Sequence, residues 1–173
     1  MSAHKRTRRM HSATDSSQSV FVTTVSQAGH TASTGKQAVK GSHGTLITTA
    51  KGVQLLASWD MDAAYRKLEP QSPRWDYALA VHSAEEQLVW VEVHPASSTG
   101  QVDEMLAKFD WLKHKLSEPK FEPLDQLTKV TQGRNQPAFR WLCTGSNRIK
   151  PGSQETRKLA RAGLTPPERQ ITL

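Results

Sequence analysis

The chain of 173 residues contains a single cysteine, Cys143, so no disulfide can close within it. A small secreted fold stapled by cystines is thereby excluded. Apolar residues are scarce as well, at 36%, which fits a modest core with disordered ends. No apolar run approaches the roughly 20 residues that cross a bilayer, so no membrane association is expected. The basic start, with Lys5, Arg6, Arg8 and Arg9, is not followed by the apolar stretch of a secretory signal. The expected location is the cytoplasm, and the length suits one ordinary domain.

Acidic residues are missing from both ends. Residues 1–57 carry seven Lys or Arg against one acid, Asp15, and residues 129–173 carry nine against Glu155 and Glu168. The centre reverses sign, with seven basic residues against thirteen acids, so the net charge of +7 belongs to the ends. Two basic ends around an acidic centre suit a binder of polyanions whose acids hold a metal or line a site. Nucleic acid is the expected partner. The plainer alternative is a protein that is merely basic.

Residues 1–18 are polar and Ser-rich, without apolar periodicity, and read as a disordered basic arm. Residues 19–173 read as a single α/β domain. Val20-Phe21-Val22 with Val25 suggests a short strand, and 28–44 a Gly/Ser/Thr-rich loop. Thr45 to Leu56 resembles a hairpin about Ala50-Lys51-Gly52. Ser58 is placed to cap a short helix to about Leu68, with Asp60 and Asp62 in its first turn, and Pro70 and Pro73 stop it.

From Asp76 to His82, apolar Tyr77, Leu79 and Val81 alternate with the other residues, a period of two that predicts a strand. Gln87 to His94 reads as its hairpin partner, with Val89, Val91 and Val93 on one face and Leu88, Trp90, Glu92 and His94 on the other. A helix from Ser98 or Thr99 to about Leu116 follows, begun by a capping box of Ser98 and Gln101. Val102, Met105, Leu106, Phe109, Leu112 and Leu116 form its stripe, with Glu104, Lys108, Trp111 and Lys115 opposite. Residues 117–136 look polar and Pro-interrupted, with one helical turn near Leu124–Leu127. Ala138–Thr144 reads as a strand, and Gln154–Ala162 as a basic helix closed by Gly163.

The central order is strand, strand, helix, strand, with an acid at the start of the first strand and acid-x-His at the end of the second. On a hairpin, Asp76, Glu92 and His94 can converge on one face. Two carboxylates with a third ligand suit a hard divalent ion such as Mg²⁺ or Mn²⁺. A lysine from the following helix can then stabilise charge developing on a phosphate. Gly29 and Gly35-Lys36-Gln37 fall short of a phosphate-binding loop, because the spacing is one residue too long and Gln37 stands where Ser or Thr is needed. Cys143 reads as a packed thiol, and His82 with His94 are too few for zinc. The five tryptophans read as core, except Trp111, which lies opposite its helix's stripe and either stacks on a base or covers another element.

Arg74-Trp75-Asp76-Tyr77-Ala78-Leu79-Ala80-Val81 and Leu88-Val89-Trp90-Val91-Glu92-Val93-His94 together resemble the two motif strands of the PD-(D/E)XK nuclease superfamily. The likeness covers about residues 58–145, leaving 146–173 as a basic extension. It implies a restriction-endonuclease-like fold, a small mixed sheet flanked by helices, with Asp76 and Glu92 as metal ligands. Two departures stand out. His94 occupies the motif lysine's place, so the catalytic role falls to His94, or to Lys108 from the helix, or the site is dead. The family also places a helix and a strand before its first acidic strand. Here the helix expected over 58–69 runs almost into Arg74, so that strand must come from 45–56 in an altered order. Glu69, Asp60 or Asp62 is a candidate for the family's additional helix acid. The expected function is a metal-dependent nuclease-like protein acting on phosphodiesters. The alternatives are a non-catalytic nucleic-acid-binding or interaction module of the same fold, or a partner-binding protein without nucleic acid.

Overall fold

The computed structural model describes residues 19–173, so the arm expected over 1–18 lies outside the described residues. Helix α1 (Val20–Gln27) begins at Ser19, whose hydroxyl accepts the Val22 amide. It stands where the run of β-branched residues suggests a strand. Phe21 and Val25, one turn apart, are fully buried, so tertiary packing and the cap override local propensity. The segment read as loop carries β1 (Ser33–Thr34) and a single turn of helix, α2 (Gly41–Gly44).

No hairpin forms over 45–56. Instead β2 (Ile47–Thr48) pairs in parallel with β7 (Ile171–Thr172) at the far end of the chain. Strand β3 (Gln54–Asp60) runs through the residues expected to start a helix, with Ser58 inside it and fully buried. The cap lies two residues later: Asp60 accepts the Ala63 amide at 2.8 Å and opens the short α3 (Met61–Tyr65).

Strands β4 (Tyr77–His82) and β5 (Glu86–Val93) form the expected antiparallel hairpin. The 17-residue α4 (Gly100–Leu116) follows, then a 3₁₀ turn (Pro119–Phe121), α5 (Glu122–Gly133), β6 (Phe139–Leu142) and α6 (Gln154–Ala162). The main sheet has the order β1-β3-β4-β5-β6, antiparallel throughout except for the parallel pair β5–β6. The molecule is thus a mixed α/β protein with a five-stranded sheet flanked by helices.

Both faces of the central hairpin are buried. Ala78, Ala80, Leu88 and Trp90 pack with Phe21 and Val25 of α1, Phe109 and Leu112 of α4, Leu124 of α5 and Leu159 of α6. The other face, Tyr77, Leu79, Val89 and Val91, packs under Val39, Ile47, Leu142 and Ile171. Two threonines of α5 complete the first layer. Thr131 Oγ1 accepts the Leu88 amide at 3.0 Å and donates to the Leu88 carbonyl at 2.8 Å, while Thr128 Oγ1 accepts Trp90 Nε1–H at 2.9 Å. Buried backbone groups that lack a strand partner here are satisfied by a helix.

Candidate active site

The site grows from the end of the β4–β5 ladder. Tyr77 and Val91 are its last pair, so Asp76 and Glu92 are the next residues across from one another. There the side chains take over from the backbone. Glu92 Oε2 accepts the Asp76 amide at 2.9 Å, and Asp76 Oδ2 accepts the Val93 amide at 3.0 Å. The two carboxylates expected from the sequence are therefore gathered at one point. Asp76 is half-buried and Glu92 is fully buried.

Helix α4 supplies a cation to this pair. Its stripe of Met105, Phe109 and Leu112 is buried against the sheet, which turns Lys108 onto the strand ends. Lys108 Nζ donates to Glu92 Oε1 at 2.5 Å. Of the two candidates for the motif lysine's role, Lys108 lies on the carboxylates. His94 is directed elsewhere: Nε2 is 3.2 Å from Glu104 Oε2, and Nδ1 is 2.9 Å from the Pro95 carbonyl. The expected Asp76–Glu92–His94 cluster is thus replaced by Asp76–Glu92–Lys108.

Burial dominates the electrostatics. It pushes the Glu92 carboxyl up to about 8, with the Asp76 charge adding to the effect and the Lys108 ammonium opposing it. Burial also raises Asp76, against the pull of Lys108 and the Val93 amide. Burial works against the Lys108 charge as well, but the Glu92 carboxylate outweighs it and holds the ammonium above its ordinary value. Two carboxylates share one ammonium, so full ionisation leaves one negative charge uncompensated in a poorly solvated place. A proton or a further cation relieves it.

Asp76 and Glu92 fit a hard dication in charge and in donor type. Three of their four oxygens already accept hydrogen bonds, and Asp76 Oδ1 is the one without a hydrogen bond among the described residues. No group of three or more His, Cys, Asp or Glu side chains suited to a metal occurs among the described residues. The protein's contribution would therefore be these two carboxylates, with other positions left to water and substrate oxygen.

The candidates for an additional acid separate clearly. Glu69 accepts Trp111 Nε1–H at 2.6 Å and a hydrogen bond from Lys115, further along α4 from Lys108. Asp60 caps α3. Asp62 is held by Arg66 at 2.6 Å and Arg74 at 2.9 Å; burial raises its carboxyl, but these two guanidiniums outweigh that and hold it below the ordinary range. Trp111 covers another element, its ring lying edge-on to Tyr65 at 5.4 Å. With Trp59, Trp75, Trp90 and Trp141 also buried, none of the five indoles offers a face to a base. Cys143 is a buried, packed thiol, as expected.

Sequence reasoning misses His43, whose Nδ1 lies 3.1 Å from the Tyr77 hydroxyl next to Asp76. Its segment carries no periodicity that would place it beside the sheet. Compared with known proteins, the chain matches no family model, no curated protein and no solved structure.

Proposed function

We propose that the protein is a metal-dependent nuclease of the PD-(D/E)XK type, acting on phosphodiesters of nucleic acid. The observation that carries this reading is Lys108 on the Glu92 carboxylate beside Asp76, which restores an acid, acid, lysine set from a different element. The topology supports it. A helix (α1) and a strand (β3) precede the acidic strand β4, with β1, α2 and β2 between them and α3 after β3, and β6 runs parallel to β5.

In this reading Asp76 and Glu92 would hold Mg²⁺ or Mn²⁺, which would supply positive charge beside the scissile phosphate and a more acidic bound water. Lys108 keeps Glu92 oriented and carries positive charge to where the phosphate gains negative charge. The Asp76 and Val93 amides fix both carboxylates before substrate arrives. The basic ends of the chain supply attraction for the polyanion.

The test is a melting experiment with added Mg²⁺ or Mn²⁺, followed by cutting assays on plasmid and RNA. A bound ion should raise the melting temperature, by about 2–4 °C per kcal/mol for a chain of this size. Asp76→Asn should remove that shift. Cutting should need the ion, vanish in Glu92→Gln and Lys108→Ala, and survive in His94→Ala. The three carboxylate oxygens already satisfied internally favour one rival, a non-catalytic nucleic-acid-binding module of the same fold. No metal shift and no cutting, with binding that weakens in salt, would establish that rival.

A further inference from the structure

We infer that the face formed by α6 and the loop 145–153 is a binding surface for single-stranded nucleic acid, with an unpaired base seated in an apolar slot. This deepens the nucleic-acid reading above and rests on it for the class of partner. The loop is built onto the sheet. Asn147 bridges in parallel to Ala96, and the Arg148 amide donates to the Ala96 carbonyl at 2.8 Å. Ala96 lies four residues beyond Glu92, so the surface continues from the strand end that carries the carboxylates.

Helix α6 is set down beside it by the Ser153 cap, by buried Thr156 and Leu159, and by an ion pair from Lys158 to Asp103 of α4. The turn at its end is made by Gly163, at φ 92°. What remains outward is mostly cationic, with Glu155 the one acid on the helix. Arg148, Lys150, Arg157 and Arg161 are all exposed, and none has an ion-pair partner among the described residues. Most other basic side chains in the second half of the molecule are already committed, such as Arg134 to Glu85 and Arg140 to Glu168.

Beside Arg157 lies a concavity of about 450 Å³, lined chiefly by Ile149, Pro151, Ala160, Pro166 and Pro167. Arg157 and Arg161 are one turn apart, about 6 Å along the axis, the order of the spacing between successive phosphates of one strand. Cations at that interval favour a polyanion. An apolar hollow beside them favours one that also has flat apolar groups to bury. Duplex bases are stacked and paired and do not reach such a hollow without being flipped out, whereas a single strand presents its bases freely. A peptide of acidic residues alone satisfies the cations but leaves the slot empty.

Fluorescence anisotropy on the full chain in EDTA, so that no cutting intervenes, decides between these partners. Labelled oligothymidine and a duplex of equal length are the probes, and polyglutamate is the competitor. The single strand should bind at least tenfold more tightly than the duplex. Arg157→Gln with Arg161→Gln should weaken it about tenfold and flatten the salt slope by roughly 0.7 for each phosphate no longer neutralised. Ala160→Glu, which puts a carboxylate in the slot, should remove the preference for single strands. Lys129→Gln, on α5 and paired with Asp125, should bind as the wild type does. Equal or tighter duplex binding, unchanged binding in the α6 variants, or polyglutamate competing as well as unlabelled oligothymidine would overturn the assignment. A chain that binds in this pattern but never cuts fails the nuclease reading while this surface stands.

Discussion

Full burial of Glu92, with one ammonium and one carboxylate for neighbours, sets how the metal-free protein responds to pH. Its folded pKa of about 8 lies above the ordinary 4.5, so the native state keeps a proton that the unfolded chain releases. As far as this group is concerned, stability is highest below pH 4.5 and falls as pH rises through about 8. Asp76 is raised too and acts in the same direction. Lys108, also raised, contributes stability that is fully present below its ordinary pKa and lost as pH rises through its folded one. Urea midpoints in EDTA across about pH 5 to 8.5 should therefore fall for the wild type and stay nearly flat for Glu92→Gln. Parallel profiles would mean that Glu92 is already ionised. Phe109 tests packing rather than charge. It is 2% exposed, with its ring 4.7 Å from Phe139 and 6.0 Å from Trp75. Truncation to Ala should cost about 3–5 kcal/mol, and a loss below roughly 1 kcal/mol would mean the ring is not core.

Helix α1 hangs on a residue from another element. Glu86, at the start of β5, accepts the Ser19 hydroxyl at 2.6 Å and the Val20 and Phe21 amides at 2.9 and 3.0 Å. Its carboxylate thus meets the positive end of the helix and satisfies donors that have no partner within it. Glu86→Ala should cost about 1–2 kcal/mol and lower hydrogen-exchange protection in 20–27 before the sheet; unchanged protection there would rule out the cap. Nothing local to 19–27 encodes this, which is why Val20-Phe21-Val22 reads as a strand. Helix α5 hides for another reason. Pro119 and Pro123 look like breakers but sit in first turns, where the missing amide costs nothing. The buried face of α5 also includes Thr128 and Thr131, which a hydropathy pattern scores as polar. By contrast β4, β5 and α4 are legible because each carries its own period, and α6 because Gly163 closes it. Lys108 is legible only as an alternative to His94, since the sequence does not say which side of α4 meets the strand ends.

At the scale of the molecule, charge separates into regions, and that much is visible in composition. Deleting residues 1–11 removes Lys5, Arg6, Arg8 and Arg9. On the proposed reading, affinity for nucleic acid should then drop, and its salt dependence should flatten by roughly 0.7–0.9 for each phosphate that these residues no longer neutralise. Affinity that ignores salt would refute the polyanion argument. Topology is less visible than charge. The pairing of Ile47 with Ile171 joins two Ile-Thr dipeptides over 120 residues apart, each too short to show a strand period.

That pairing also orders events in time. Ile171 belongs to the layer over Tyr77, Leu79, Val89 and Val91, beside Ile47 and Val39. During synthesis, residues 19–142 emerge first and can assemble the hairpin, α4, α5 and β6 against one another. The opposite face of that sheet stays partly bare until the ribosome has released residue 171. The face under Ile171 is therefore the last part of the sheet to be covered, about thirty residues of chain after β6, and until then it presents apolar surface. The basic surface of α6 leaves the ribosome within that interval and just before the layer closes.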